Sequence, residues 1–228
     1  MASSRGCPAT RSSSPFPKTP DAMSARRILV LFAHPSPARS EINRHLASLA
    51  REHPYASFVD LYAEYPNYRV DIDREQQRLC EHDVIVFLFP LYWYSTPALL
   101  KEWQDLVLEY GFAYGREGTA LAGKYFICAC SAGGPGAAYD ASGYNHHSLR
   151  ELLIPLEQTA TLCHMRPLPP FALFGSRTAV EEGRRDEHLR AFSGLLDHLA
   201  TKPLDAWLQS EACTVNELLS LSSGETPP

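Results

Sequence analysis

The segment Ala33–Asn43, AHPSPARSEIN, places many hydrogen-bond donors directly before a predicted helix. The free N–H groups and the dipole of a helix N-terminus favour an anion, so these donors indicate a phosphate site. The sequence has neither the dinucleotide fingerprint GxGxxG nor a P-loop pattern, which favours a single phosphate. The alternative is a loop histidine beside a helix that Ser40 caps, with the acid Glu41 in its first turn. The donors of this segment are His34, Ser36, Arg39, Ser40 and Asn43.

The segment Phe89–Trp103, FPLYWYSTPALLKEW, carries three consecutive aromatic residues where an apolar strand becomes a loop. Pro90 and Pro97 stiffen this loop. The rings of Tyr92, Trp93 and Tyr94 could contact a flat aromatic ligand, while backbone N–H and C=O groups reach its polar edge. The alternative is a satellite core cluster, in which the three rings are simply packed together.

A third segment, SAGGPGAAYD, begins at Ser131 after another apolar strand. Its glycines allow the backbone to approach a ligand closely, although a GGxG pattern by itself is weak support for a site. Tyr139 and Tyr144 follow and bring two phenol hydroxyls to the same region. The segment therefore predicts a loop that lines a ligand.

Five apolar segments of strand length alternate with helical patterns, which predicts a parallel sheet with helices on both faces. The expected fold class is flavodoxin-like α/β, with the five strands in the order 2-1-3-4-5. In such sheets the ligand binds beyond the carboxyl ends of the strands, beside strand 1. The three loops follow strands 1, 3 and 4, so we expect them to meet. The five segments are RILVLFAHP, ASFVDLY, VIVFLF, YFICAC and LPPFALF.

Three loops that meet in this way would hold a phosphate at one end and a planar ring at the other. That is the shape of flavin mononucleotide (FMN). FMN is favoured over FAD because no separate adenine site is evident in the sequence.

Length and composition limit the other possibilities. A chain of 228 residues with a net charge of −5 predicts one main domain and argues against nucleic-acid binding. We expect residues 1–26 to form a disordered extension, with Met23 as an alternative start, residues 27–210 to form the domain, and residues 211–228 to form a flexible tail. Cys128 and Cys130 are expected to be buried thiols of a cytoplasmic protein, without a metal site.

Several of these segments resemble the flavodoxin-like NAD(P)H:quinone oxidoreductases. The likeness is strongest to the ancillary proteins of glutathione-regulated potassium-efflux systems, which are bacterial relatives of DT-diaphorase. It covers about residues 28–174. The segments that carry it are LFAHPSPARSEIN, LYAEYPNYRVDIDREQ, PLYWYSTPALLKEWQDLV, GFAYG, LAGK and SAGGPGAAYD.

The resemblance implies roles for individual residues. The flavin phosphate and ribityl chain would lie against His34, Ser40, Glu41, Ile42 and Asn43. The flavin ring would lie against Leu91, Tyr92, Trp93 and Tyr94 and against Ser131, Ala132, Gly133 and Gly134. Tyr139 falls where DT-diaphorase has a tyrosine that polarises the flavin. The histidine that acts beside it there falls on Asn145 here, with His146 next, and this departure weakens any copied proton relay.

The function expected from these points is FMN-dependent transfer of hydride from NAD(P)H to a quinone, in two half-reactions at one pocket. The resemblance also implies a homodimer, in which Phe112 and Tyr114 would reach the neighbouring pocket. The rival hypothesis is a regulatory subunit of a potassium-efflux antiporter, peripheral on the cytoplasmic face of the inner membrane, with reductase activity secondary. A serine hydrolase that uses Ser40 or Ser131 is poorly supported, because no GxSxG elbow is present.

Overall fold

The computed structural model describes residues 25–223, which build one parallel sheet between two layers of helices. The strands are β1 Ile28–Phe32, β2 Ala56–Asp60, β3 Val84–Pro90, β4 Tyr125–Ser131, β5 Arg166–Pro167 and β6 Phe171–Leu173. The strand order is β2-β1-β3-β4-β5, and β6 also pairs with β4. Every pairing is parallel. The predicted flavodoxin-like order 2-1-3-4-5 is confirmed.

The central strands are buried on both faces, as their apolar sequences predict. All five residues of β1 and all seven of β3 are buried. Side chains alternate between the faces of a strand, so Leu29 belongs to one core cluster and Val30 to the other. Helices on both sides of the sheet cover these two clusters, and this layering leaves the carboxyl edge of the sheet for the loops.

The helices of the described chain divide between the two faces. Trp103 lies in the cluster with Leu29, whereas Leu46 and Phe192 lie in the cluster with Val30. The helices are α1 Asn43–Glu52, α2 Leu61–Glu64, α3 Ile72–Glu81, α4 Ala98–Val107, α5 Leu149–Leu152, α6 Ile154–Leu162, α7 Arg185–Thr201, α8 Asp205–Leu208 and α9 Val215–Ser223.

Proline and glycine account for three element boundaries in the second half of the chain. The predicted fifth strand, LPPFALF, contains β6 alone, and β5 lies just before it. Pro169 and Pro170 separate the two strands, because proline has no N–H for the sheet ladder. The helical segment before Cys163 is divided at Leu153 into α5 and α6, and Pro155 lies in the first turn of α6. Helix α7 begins only at Arg185, after Gly183 adopts a φ of +70°.

The prediction of a flexible tail from residue 211 is wrong for residues 215–223, because these residues form α9. Val215 is fully buried. The Asn216 side chain pairs with the backbone of Ala172 in both directions, at 2.9 and 3.0 Å, as an additional strand would. These contacts cover the outer edge of β6 and explain why this part of the chain is ordered.

Most of the predicted amino-terminal extension, including Met23, lies outside the described residues. Arg26, placed in that extension by the sequence prediction, instead docks on the end of α7. Its guanidinium donates to the carbonyls of Leu199 and Lys202 at 3.0 and 2.9 Å. Arginine at the end of a helix satisfies carbonyls that have no partner within the helix.

Within residues 25–223, no helix is both long enough and apolar enough to span a bilayer. Cys128 and Cys130 are buried free thiols, as predicted. Burial raises the pKa of the Cys130 thiol to about 12, so it stays protonated at neutral pH.

Candidate functional site

The loops after β1, β3 and β4 meet at the carboxyl edge of the sheet through three pairwise contacts. The His34 ring lies 6.1 Å from the Tyr92 ring and joins the first loop to the second. The Asn43 Nδ2 donates to the Ser131 Oγ at 2.9 Å and joins the start of α1 to the third loop. The Tyr94 hydroxyl donates to the Asn145 Oδ1 at 3.0 Å and joins the second loop to the third.

The first loop positions Ser40 differently from the sequence expectation. A 3-10 turn at Pro37–Arg39 precedes Ser40, and α1 begins at Asn43 with Ile42 at its N-cap. Ser40 is therefore not the N-cap residue, although its Oγ accepts the Asn43 backbone N–H at 2.9 Å. Glu41 lies outside the helix and pairs with Arg44 at 3.0 Å on the surface. The first turn of α1 contains no acid, so its positive dipole end is not offset there.

The hydroxyl of Ser40 is poised to donate. Its Oγ already accepts two hydrogen bonds, one from the Asn43 backbone and one from the Asn43 Nδ2 at 3.0 Å. The hydroxyl proton is therefore directed away from both donors. An anion at the start of α1 could accept that proton together with the first N–H groups of the helix.

His34 is buried at the end of β1. Its Nδ1 accepts the Ser36 backbone N–H at 3.0 Å, so in the neutral ring the proton lies on Nε2. Burial lowers the pKa of His34, and the charge of Asp60 opposes this effect only in part. At neutral pH His34 is accordingly an uncharged imidazole with one N–H to donate.

The second loop holds its aromatic residues in a strained two-residue turn. Tyr92 and Ser95 exchange two backbone hydrogen bonds of 3.0 Å. Between them, Trp93 and Tyr94 have φ values of +50° and +62°. Such turns favour Asn and Gly, and each non-glycine residue in this region costs about 1–3 kcal/mol. The backbone strain singles out this turn as a candidate for a ligand contact.

The aromatic rings of this turn are not a core cluster. Trp93 is 94% exposed, and Tyr92 and Tyr94 are about half exposed at 42% and 49%. The satellite-core alternative is therefore wrong. Leu91 alone packs against the core, and its N–H donates to the Ser131 carbonyl at 2.8 Å.

The third loop leaves little room for a side chain at Gly134. A Cβ there would lie 2.6 Å from the Tyr144 hydroxyl oxygen and 3.4 Å from the Tyr139 ring. The loop starts from a fixed base, because the Ala132 N–H donates to the Leu173 carbonyl at 2.7 Å. Its backbone at Gly133 and Gly134 is thus held in place, and neither residue adds a side chain of its own.

Tyr139 lies beside these glycines and keeps its proton. Its ring packs against Phe174, with the ring centroids 5.1 Å apart. Burial raises the pKa of Tyr139, helped by the neighbouring Tyr144. The phenol therefore remains a hydrogen-bond donor across the neutral range.

Asn145 is the site residue whose contact the sequence did not indicate. Its partner Tyr94 is 51 positions away, and no spacing pattern connects the two residues. The Asn145 Nδ2 is buried and has no hydrogen-bond partner within residues 25–223. A buried unpaired donor is costly, so this amide is suited to a ligand oxygen. His146 next to it is exposed, with a φ of +57°.

A cavity of about 620 Å³ borders the third loop, and Tyr139 is one of its lining residues. Its lining residues come from the third loop, the start of α5, the residue after β6, the segment before α9 and α9 itself. Residues of the first two loops do not contribute to it. The lining residues are Gly136, Ala137, Tyr139, Asp140, Ser142, Leu149, Phe174, Cys213, Thr214 and Glu217.

Two known proteins are similar to this chain in sequence. General stress protein 14 of Bacillus subtilis is 47% identical over 156 residues, which is 68% of this chain and 89% of that protein. The glutathione-regulated potassium-efflux system ancillary protein KefG of Yersinia enterocolitica is 41% identical over 188 residues, which is 82% of this chain and 95% of that protein.

Two solved structures share the fold. A general stress protein 14 from Treponema denticola, in complex with FMN, is 38% identical with a TM-score of 0.71 and covers 76% of this chain and 99% of its own. An NADPH-quinone reductase from P. pentosaceus is 30% identical with a TM-score of 0.67 and covers 75% of this chain and 97% of its own.

The family model described as "Flavodoxin-like fold" matches residues 26–196, a stretch that contains every strand of the sheet and all three loops. The match agrees with the observed strand order of the sheet. On this match and on the identity of its relatives, the chain belongs to the flavodoxin-like fold family.

Proposed function

We propose that this protein is an FMN-dependent NAD(P)H:quinone oxidoreductase. The observation that carries the proposal is the contact of three loops around a strained and exposed aromatic turn. The Treponema denticola protein with bound FMN and the NADPH-quinone reductase from P. pentosaceus support the choice of cofactor and substrates.

The residues present fit FMN at both of its ends. The phosphate would bind at the start of α1, where the Ser40 hydroxyl and the Nε2–H of His34 are available as donors. The ring would lie between the Tyr92–Tyr94 turn and the backbone of Gly133 and Gly134. FMN is preferred to FAD because the site offers one anion position beside α1.

The chemistry that bound FMN supplies is the uptake of a hydride from NAD(P)H and its transfer to a quinone. The protein supplies orientation and electrostatics. The Tyr139 phenol stays protonated and can donate to an oxygen on which negative charge develops. The Asn145 Nδ2–H can donate to a second oxygen, but an amide does not take up a proton at neutral pH. These two groups therefore stabilise charge without relaying a proton.

We also propose that two copies of the chain associate at the site. Trp93 is 94% exposed and Tyr110 is 70% exposed. A second copy of the chain would partly cover these two aromatic side chains. The sequence analysis predicted that Phe112 reaches the pocket of the second copy. This is wrong, because Phe112 is 3% exposed and packs in the hydrophobic core of its own chain. Tyr114 also packs against that core, so Tyr110 takes their place in this proposal.

A second candidate function is that of an ancillary subunit of a potassium-efflux antiporter. The observation that favours it is the identity to the KefG protein over 95% of the length of that relative. Such a subunit would bind peripherally at the cytoplasmic face of the membrane. Potassium efflux measured with the antiporter, in the presence and absence of this protein, distinguishes this role from an independent reductase.

A serine hydrolase is not proposed. The hydroxyls of Ser40 and Ser131 both bond to the Asn43 amide, and no histidine lies among their hydrogen-bond partners in the described chain. A nucleophilic serine requires an adjacent general base.

The test of the main proposal is the visible spectrum of the purified protein, followed by release and identification of any flavin. We expect a yellow protein with noncovalent FMN that oxidises NAD(P)H in the presence of a quinone. A colourless protein that fails to bind FMN in a fluorescence titration would contradict the proposal. The Trp93→Ala variant serves as a site variant, and Leu162→Ala, at an exposed residue at the end of α6, is the matched control.

A further inference from the structure

Arg177 lies against the third loop of the candidate site. An ideal Cβ built on Gly133 would be 3.4 Å from the Arg177 Nε and 3.8 Å from its Cζ. The guanidinium therefore packs on the bare backbone of Gly133. Arg177 belongs to the segment after β6, which neither the sequence patterns nor the proposed FMN contacts include.

The segment that carries Arg177 is held rigidly. The Gly175 N–H donates to the Gly134 carbonyl at 2.7 Å, and the Ser176 N–H donates to the Ala132 carbonyl at 2.9 Å. From the other side, the Arg184 Nη1 donates to the Phe174 carbonyl at 3.0 Å. Arg177 thus starts from a backbone that is fixed to the site loop on one side and to Arg184 on the other.

The two arginines of this segment differ in their partners. Arg184 donates to the carbonyls of Phe174 and Gly175 and pairs with Glu182, so its charge is offset. Arg177 is exposed, and within residues 25–223 its side chain has neither a hydrogen bond nor an ion pair. A guanidinium offers five N–H donors in a planar fork that matches a phosphate. Arg177 is therefore a charge available to a ligand.

The position of Arg177 separates it from the proposed FMN phosphate site. Along the sheet the neighbours run β1, β3, β4 and β6. Three strand spacings amount to about 14 Å between the ends of β1 and β6. The start of α1 follows β1, whereas Arg177 follows β6, so the two lie at opposite sides of the site. Arg177 thus suits a second anion.

We propose that Arg177 binds a phosphate group of the dinucleotide substrate. The inference rests on the proposed function and goes beyond it, since it names a residue that selects an anionic, phosphate-bearing reductant. The phosphate is either the 2′-phosphate found in NADPH or the pyrophosphate found in both NADPH and NADH. In each case the chemistry is a charge-assisted hydrogen bond from the guanidinium.

The test compares Arg177→Gln with Arg190→Gln, which removes an exposed arginine of α7 that likewise has no partner among the described residues. KM is measured for NADPH and for NADH, and the Kd of NADP+ is measured by calorimetry on the FMN-loaded protein. We expect Arg177→Gln to raise KM and Kd about tenfold, typical of one charge-assisted contact. Arg190→Gln should leave both constants unchanged. A rise for NADPH alone identifies the 2′-phosphate, and a rise for both reductants identifies the pyrophosphate.

Three results would overturn the proposal. The constants could be unchanged in Arg177→Gln, they could change equally in Arg190→Gln, or the affinity for FMN could fall while KM stays the same. Failure of the proposed function looks different, because the wild-type protein itself would then bind no NADP+ and show no turnover. Arg177→Lys, which keeps the charge but loses the planar fork, should fall between the wild type and Arg177→Gln.

Discussion

The Asn43 side-chain amide, at the first residue of α1, donates to the Ser131 hydroxyl at the last residue of β4, with 2.9 Å between nitrogen and oxygen. This buried bond joins the anion end of the candidate site to the ring end. The same amide nitrogen also bonds to Ser40, so one residue fixes the relative positions of two loops.

Replacing Asn43 by alanine should weaken both stability and FMN binding. The change leaves the buried Ser131 hydroxyl without its amide partner, which costs about 1–3 kcal/mol of unfolding free energy. Urea unfolding measures the first effect, and titration of the apoprotein with FMN measures the second. Ser48→Ala, on the exposed side of the same helix, is the control. An unchanged affinity for FMN in Asn43→Ala would contradict the positioning role.

Gly134→Ala should disturb the site more than the fold. The new Cβ would meet the Tyr144 hydroxyl oxygen at 2.6 Å, and Tyr144 is 67% exposed and free to move outward. We therefore expect a nearly unchanged melting temperature and weaker FMN binding. The double variant Gly134→Ala/Tyr144→Phe removes the colliding oxygen and should recover part of the affinity. Failure of this rescue would mean that the contact with Tyr139 is the obstacle instead.

Tyr139→Phe should slow hydride transfer more than it weakens FMN binding. A phenol donor that meets developing charge helps the transition state more than the ground state. The expected loss is about ten- to a hundredfold in the rate of flavin reduction by NAD(P)H. Stopped-flow absorbance with FMN bound gives this rate. A rate equal to that of the wild type would leave Tyr139 as a packing partner of Phe174 only.

Asn145→His should introduce a pH dependence that the wild type lacks. Burial raises the pKa of Tyr139 and lowers that of His34, so both groups move away from the window between about pH 6 and pH 8 in which a histidine of ordinary pKa titrates. We expect a flat rate of flavin reduction in this window for the wild type, and a step near pH 6.5 for the variant. A step already present in the wild type would show that another group, such as His146, transfers a proton.

His188 should make the fold sensitive to acid. Burial against Phe171 lowers the pKa of His188 to about 3. The unfolded chain then binds this proton below pH 6.5 and the folded chain does not, so stability is lost as the pH falls through this range. The loss amounts to about 2 kcal/mol at pH 5. Urea unfolding of the wild type and of His188→Leu at pH 7.5 and pH 5 measures it, and an equal loss in both proteins would contradict the assignment.

The sequence by itself determined the parallel sheet, its strand order and the edge at which the site lies. Strands β1 and β3 are apolar at every position, and such segments are stable only when helices cover both faces. Once the order is known, the loops after β1, β3 and β4 must end at one edge. The predicted residues Asn43 and Ser131 therefore come together although 88 positions separate them.

The tertiary structure decided how each side chain is used. Periodicity reports which residues are buried, but it does not report which partner a polar group finds across the chain. The Tyr94–Asn145 bond and the packing of Arg177 on Gly133 both join loops whose spacing carries no common pattern. The placement of α9 has the same cause, since the Asn216 side chain pairs with the backbone of Ala172 at the outer edge of β6.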